Sequence, residues 1–193
     1  MIKAVVFDCF GVLTTDGWLF FKEKYLSDNS ENKKTAEQAN KEVDAGIIDY
    51  ATFLAKLAKL VSLDEKQVKA VIESNVRNKA LFEFIQYEIK PYYKVGLLSN
   101  ASHNALERLF EERQIRLFDA AVFSFEVGTI KPASIMYERI AQKLNLETSE
   151  CLYIDDQEKF VEGALLSGMQ TIHFTNNENV MNKIRNKLDA RAS

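Results

Sequence analysis

Apolar and polar positions come in two kinds of block along this chain. Short apolar runs at 4–7, 93–98, 119–124, 151–154 and 170–174 read as strands. The first, Ala4-Val-Val-Phe7, has no polar residue alternating with the apolar ones, as expected of a strand buried on both faces. Stretches with helical spacing lie between and after these runs, at 78–89, 102–112, 133–144, 158–167 and 178–188, and Pro91 stops the first of them. Repeated strand–helix units predict an α/β fold, a Rossmann-like parallel sheet with helices on both faces.

One segment breaks this alternation. Residues 15–76 carry no strand signal. Asp16-Gly17 marks a turn, and Trp18, Leu19, Phe20, Phe21 and Tyr25 open a helix. Residues 27–32 form a polar loop, and 33–45 a polar helix closed by Gly46. Asp49 caps a helix with Phe53, Leu54, Leu57 and Leu60 on one face. Ser62-Leu-Asp-Glu65 reads as a capping box before Val68, Val71 and Ile72. The expectation is a small all-helical unit, 15–76, inserted into a core made of 1–14 and 77–193. The sequence has no repeat, low-complexity segment or long linker, and 191–193 are expected to fray.

Composition adds limits rather than a function. The 193 residues are 47% apolar and 27% charged, enough for a sizeable core. A net charge of -3 gives no reason to expect nucleic-acid or membrane-surface binding. No apolar run approaches the ~20 residues that span a bilayer, and Asp8 interrupts any signal-peptide pattern. A cytoplasmic monomer is the expectation. Cys9 and Cys151 lack metal-site spacing and flank core strands, so they read as reduced, buried thiols approaching one sheet edge.

Chemistry collects where strands end. Asp8 closes the first strand, and Gly11 permits a sharp turn after it. An open parallel sheet places ligands at such carboxyl ends, although Asp8 alone reads equally well as a turn cap. Three later stretches join it: Val95-Gly-Leu-Leu-Ser99-Asn100, Gly128-Thr-Ile-Lys131-Pro132 and Cys151-Leu-Tyr-Ile-Asp155-Asp156. In this order the four resemble the signature motifs of the haloacid dehalogenase-like (HAD) hydrolase superfamily. The resemblance implies the sheet order 3-2-1-4-5 and makes the helical insertion a cap over the active site. It makes Asp8 a nucleophile that forms an aspartyl-phosphate. It implies Mg²⁺ held by Asp8, the Phe10 carbonyl and Asp156, with Asp155 a further ligand or an outer acceptor. Ser99 would donate its hydroxyl to a phosphate oxygen, and Lys131 would pair with both phosphate and Asp8. Asn100 would orient the loop or touch the phosphate, and Trp18 is the best substrate-facing aromatic.

Two positions depart from the pattern. Phosphatases of this family usually carry a second aspartate two residues after the nucleophile, where this chain has Phe10. Phe10 transfers no proton, which favours a good leaving group such as a sugar 1-phosphate, or calls for another acid such as Asp16 or a cap residue. After the acid pair, a polar residue that usually steadies the lysine or the metal's waters becomes Phe160, with Gln157 or Glu158 to compensate. His103 reads as a solvated helix residue and His173 as a satisfied structural one. The expected function is Mg²⁺-dependent hydrolysis of a small phosphorylated metabolite. A metal-free dehalogenase and a catalytically weak binding protein are the alternatives.

Overall fold

Strand β1, Ala4–Phe7, has every side chain buried, a burial that only an interior strand of a doubly covered sheet achieves. In the computed structural model, which describes residues 1–103 and 106–189, β1 is the middle of five parallel strands. They run in the order β3-β2-β1-β4-β5, with β2 Lys94–Ser99, β3 Ala120–Phe123, β4 Cys151–Asp155 and β5 Gln170–His173. The order matches the one implied by the family resemblance. Ala4 stands opposite Lys94 on one side and Cys151 on the other, so all carboxyl ends share one edge.

The helices, in chain order, are α1 Gly17–Tyr25, α2 Ser30–Asp44, α3 Tyr50–Val61, α4 Glu65–Ile72 and α5 Lys79–Phe84, which continues as a π turn over Ile85–Ile89. Short helices α6 Leu106–Leu109, α7 Glu112–Ile115 and α8 Ser124–Val127 follow. The set ends with α9 Ser134–Lys143, α10 Glu158–Leu166 and α11 Asn177–Asp189. Alternate side chains of each strand feed two separate cores. Val5, Phe7, Leu97 and Ile154 pack with Leu81, Ile85 and Ile184 on one face. Ala4, Val6, Leu98 and Tyr153 pack with Ile140, Phe160 and Ala164 on the other. None of the described helices is long and apolar enough to cross a membrane.

Helices α1 to α4 bury their own cluster, including Phe21, Val43, Phe53, Leu57 and Val68. Each starts at a side-chain cap: Asp16 accepts from Trp18 N, Asn29 from Asn32 N, Asp49 from Thr52 N and Asp64 from Gln67 N. The chain leaves and rejoins the core at adjacent points. Thr15 N donates to the Val76 carbonyl at 2.9 Å, and Val76 N to Thr15 Oγ1 at 2.8 Å.

Several expectations need correction. Ser62 ends α3 in the left-handed region (φ 53°), and the capping box belongs to Asp64 and Gln67. Helix α2 begins three residues before position 33, because Asn29 supplies its cap. The helix expected over 102–112 is helical, among the described residues, only at Leu106–Leu109 and again from Glu112. Phe110 packs its ring against Phe82 and Phe118, and a new capping box of Glu111 with Gln114 restarts the helix. The two thiols are buried and free but lie at opposite ends of the sheet. Cys151 opens β4 opposite Ala4, while Cys9 follows the far end of β1. The tail 191–193, expected to fray, lies outside the described residues.

Candidate active site

Parallel register brings the strand ends together. Asp8 N donates to the Ile154 carbonyl at 2.9 Å, which carries the ladder one residue past β1 and sets Asp8 beside Asp155 and Asp156. One ligand oxygen from each of these three acids lies within 4.8 Å of the others.

Lys131 is the hub. Its side chain is 1% exposed, and Nζ donates to Asp8 Oδ1 at 2.6 Å, Asp155 Oδ2 at 2.8 Å and the Tyr153 hydroxyl at 2.8 Å. The Tyr153 hydroxyl in turn donates to Asp155 Oδ2. A buried charge is tolerated only when it is paired and fully hydrogen-bonded. Burial alone disfavours the ammonium, but the charges of Asp155 and Asp8 outweigh it and hold the Lys131 pKa above the usual lysine value. Burial and the charge of Asp155 push the Asp8 carboxyl up, and Lys131 only partly offsets them. Asp156 is pushed up to about 6, again by burial and then by Asp155. Three carboxylates face one ammonium, so the cluster has room for a second cation.

Two observations test whether a divalent cation fits. Asp156 Oδ1 is buried and has no hydrogen-bond partner among the described residues. Gly11 sits at φ 88°, and a Cβ there would fall 2.3 Å from Asp156 Oδ2, so the absent side chain leaves the carboxylate its place. An all-oxygen donor set of this kind suits Mg²⁺. Asp155 has less to offer a metal. Its Oδ1 accepts from Gln157 N at 2.8 Å, and its Oδ2 serves Lys131 and Tyr153.

The remaining candidates separate. Asn100 is tied to the lysine loop: Lys131 N donates to its Oδ1 at 2.8 Å, and its Nδ2 donates to the Lys131 carbonyl at 3.4 Å. Ser99 is wholly buried, turns its hydroxyl to the Asn100 carbonyl at 3.3 Å and does not line the cavity. Phe10 and Trp18 do line it. His103 is half-buried rather than solvated, since its ring packs 5.0 Å from Tyr50 and Nδ1 sits 2.8 Å from Ser102 Oγ. His173 Nε2 donates to the Asp156 carbonyl at 2.9 Å, a structural role as expected.

Phe160 does not leave Lys131 unsupported. Nζ lies 4.8 Å from its ring centroid, a cation–π contact, and the Tyr153 hydroxyl supplies the polar partner. Gln157 contributes a backbone N–H to Asp155, and Glu158 stands 3.9 Å from His173 Nδ1. Neither side chain bonds the lysine. Tyr153 escaped sequence reasoning because it looks like one more strand residue. Its signal was position, two residues before Asp155 and therefore on the same face.

Above the cluster lies a cavity of about 740 Å³, walled by Asp8, Phe10, Lys131 and Asp156 from the core and by Trp18 and Asp44 from the helical layer. Asp44 is a second residue the sequence did not single out, hidden in a polar helix.

A sequence profile of the haloacid dehalogenase-like hydrolases matches residues 2–168. The chain belongs to this family of hydrolases. Among curated proteins it is 27% identical over 185 residues to Phosphatase MT3486 of Mycobacterium tuberculosis, covering 88% of this chain and 85% of that one. It is 24% identical over 186 residues to the Phosphorylated carbohydrates phosphatase of Thermotoga maritima, covering 89% and 84%. Among solved structures, the HAD family enzyme BT-2542 of Bacteroides thetaiotaomicron, in complex with magnesium and inorganic phosphate, superposes with a TM-score of 0.73 at 20% identity, covering 91% and 95%.

Proposed function

We propose that this hydrolase is a Mg²⁺-dependent phosphatase of small phosphorylated metabolites, with residues 15–76 as a helical cap over a core of 1–14 and 77–193. The observation that carries the reading is the acid triad around Lys131, with one Asp156 oxygen left free of partners. Asp8, Asp156 and the Phe10 carbonyl would hold the ion. Asp155, with both oxygens engaged, anchors Lys131 and the ligands from behind. Bound Mg²⁺ supplies positive charge that lets a carboxylate approach a phosphoryl dianion.

The chain's own groups do the rest. Asp8 attacks phosphorus and carries the phosphoryl group as an aspartyl-phosphate, which water then cleaves. Lys131 stays charged and steadies the nucleophile and the phosphoryl oxygens. Asn100 fixes the lysine loop through its paired backbone bonds. Lys22, Lys41 and Lys159 also line the cavity, which suits an anionic substrate. The phosphatase names of the two curated relatives support the same reaction, and that of the Thermotoga maritima protein supports a phosphorylated carbohydrate as substrate. Phe10 favours substrates whose leaving group departs easily, such as a sugar 1-phosphate. Metal-free attack on a carbon–halogen bond makes no use of the free Asp156 oxygen.

The test is hydrolysis of an aryl phosphate by wild type and Asp8→Asn, each with Mg²⁺ and with chelator. Turnover that needs the metal and disappears in Asp8→Asn is expected. Wild-type activity indifferent to chelator, or an unimpaired Asp8→Asn, overturns the proposal.

A further inference from the structure

Phosphate-ester cleavage leaves an alkoxide unless a proton arrives as the bond breaks, and Phe10, beside the nucleophile, has none to give. The inference below rests on the phosphatase reading and asks which residue supplies that proton. Opposite the acid cluster, the last residue of α2 lines the same cavity as Asp8, Phe10, Lys131 and Asp156. We propose that Asp44 is the general acid of this site: the helical layer, not the nucleophile loop, protonates the departing oxygen.

The placement of Asp44 is fixed from two directions. Asn40 Nδ2, one helical turn earlier, donates to Asp44 Oδ2 at 2.8 Å. The Ser124 hydroxyl donates to the Asp44 main-chain carbonyl at 2.5 Å, and Ser124 Oγ accepts from Ala101 N at 2.9 Å. Ser124 therefore joins the end of α2 to the loop that follows β2, whose residues Asn100, Ala101 and Ser102 line the cavity. A proton donor must keep its distance from the reacting atoms within narrow limits, and this joint crosses the boundary between layer and core.

The surroundings also favour the protonated carboxyl over the anion. Asp44 sits at the carboxyl end of a 15-residue helix, where backbone carbonyls disfavour an anion. Burial pushes it up to about 7, and the charge of Asp16 adds to this against the Asn40 hydrogen bond and Lys131. The other titratable groups that line the cavity from the helical layer are Lys22 on α1, Glu37 and Lys41 on α2 and Tyr50 on α3. Glu126 on α8 is turned toward Lys143 at 3.3 Å. Asp16 lines the cavity too, and burial pushes its carboxyl up against the hydrogen bonds it accepts from backbone N–H groups; what sets it apart is that Oδ1 is committed to Trp18 N at 2.9 Å as the cap of α1.

The step balances. Asp8 Oδ bonds to phosphorus, the phosphorus–oxygen bond to the leaving group breaks, and the Asp44 proton passes to that oxygen. Asp44, now a carboxylate, takes a proton from the water that attacks the aspartyl-phosphate. Phosphate departs, Asp8 is again a carboxylate and Asp44 again an acid. With this donor the substrate range extends from sugar 1-phosphates to plain alkyl phosphates.

The experiment measures kcat/KM, which reports leaving-group departure and not the later hydrolysis, for phosphomonoesters graded from dinitrophenyl to alkyl. Wild type should show a shallow dependence on leaving-group pKa. Asp44→Asn should lower the ratio of alkyl to aryl kcat/KM about 100-fold, within the range of general-acid effects. Asp16→Asn should leave that ratio unchanged. A steep dependence in wild type, an unchanged ratio in Asp44→Asn, or a fall confined to Asp16→Asn overturns the inference. An inert wild type on every aryl ester, with Mg²⁺ present, defeats the phosphatase reading itself and the inference with it.

Discussion

Tyr153 shows how one hydroxyl organises a charged site. It accepts from Lys131 and donates to Asp155, so it lets a cation and an anion that are both buried share a third partner. Tyr153→Phe keeps the ring packed against Tyr137 but leaves two ionised groups each one hydrogen bond short. Bonds to charged groups are worth about 1.5–3 kcal/mol, and a loss of about that size is expected in urea denaturation at neutral pH. An unchanged midpoint would mean that Lys131 and Asp155 satisfy each other without it. At this scale the sequence was informative about residues at strand ends. Asp8, Lys131, Asp155 and Asp156 stand at punctuation points of the sequence, and the structure brings them together. Tyr153 and Asp44 sat inside regular elements, where a polar atom gives no sign of the direction in which it points.

Among the elements, the turn after β1 is the most constrained. Gly11 needs a positive φ and also needs the absence of a side chain, since its Cβ would overlap Asp156 Oδ2. Gly11→Ala is therefore expected to cost about 1–3 kcal/mol and to lack the rise in melting temperature that the proposed Mg²⁺ site predicts for wild type. Thermal denaturation with and without the metal separates the two effects, and a variant that retains the full Mg²⁺ shift would count against Asp156 as a ligand. Strands and most helices were legible because their apolar periods differ and their caps are explicit. Boundaries failed where two local signals compete. Ser62 and Asp64 are both good caps, and only backbone conformation decides between them. Phe110 continues a helical pattern in sequence, yet its ring is claimed by Phe82 and Phe118.

For the molecule as a whole, the sheet order and the place of the helical layer followed from family resemblance, whereas the particular contacts that dock the layer did not. The layer meets the core through a few polar contacts such as Ser124 with Asp44, and no apolar period in the sequence records them. One residue of this boundary makes the stability of the fold depend on pH. The Asp44 carboxyl is raised from 3.8 to about 7 in the folded protein, so the folded state binds the extra proton between these values. Its stabilising contribution is fully present below about pH 4 and is lost as pH rises to about 7. Asp44→Asn, which cannot ionise, should gain on wild type in melting temperature across that interval and hold a constant difference above it. A difference that does not change with pH would place the Asp44 pKa near its ordinary value. The attachment of the layer has a further implication. Thr15 and Val76 are hydrogen-bonded neighbours, so the sheet sees only two adjacent chain ends, whatever hangs between them. Each doubling of a flexible loop costs about 0.6 kcal/mol. Over generations, then, the segment between these ends is free to grow, shrink or be exchanged wholesale, and the same catalytic floor can be furnished with new ceilings while its strands stay in register.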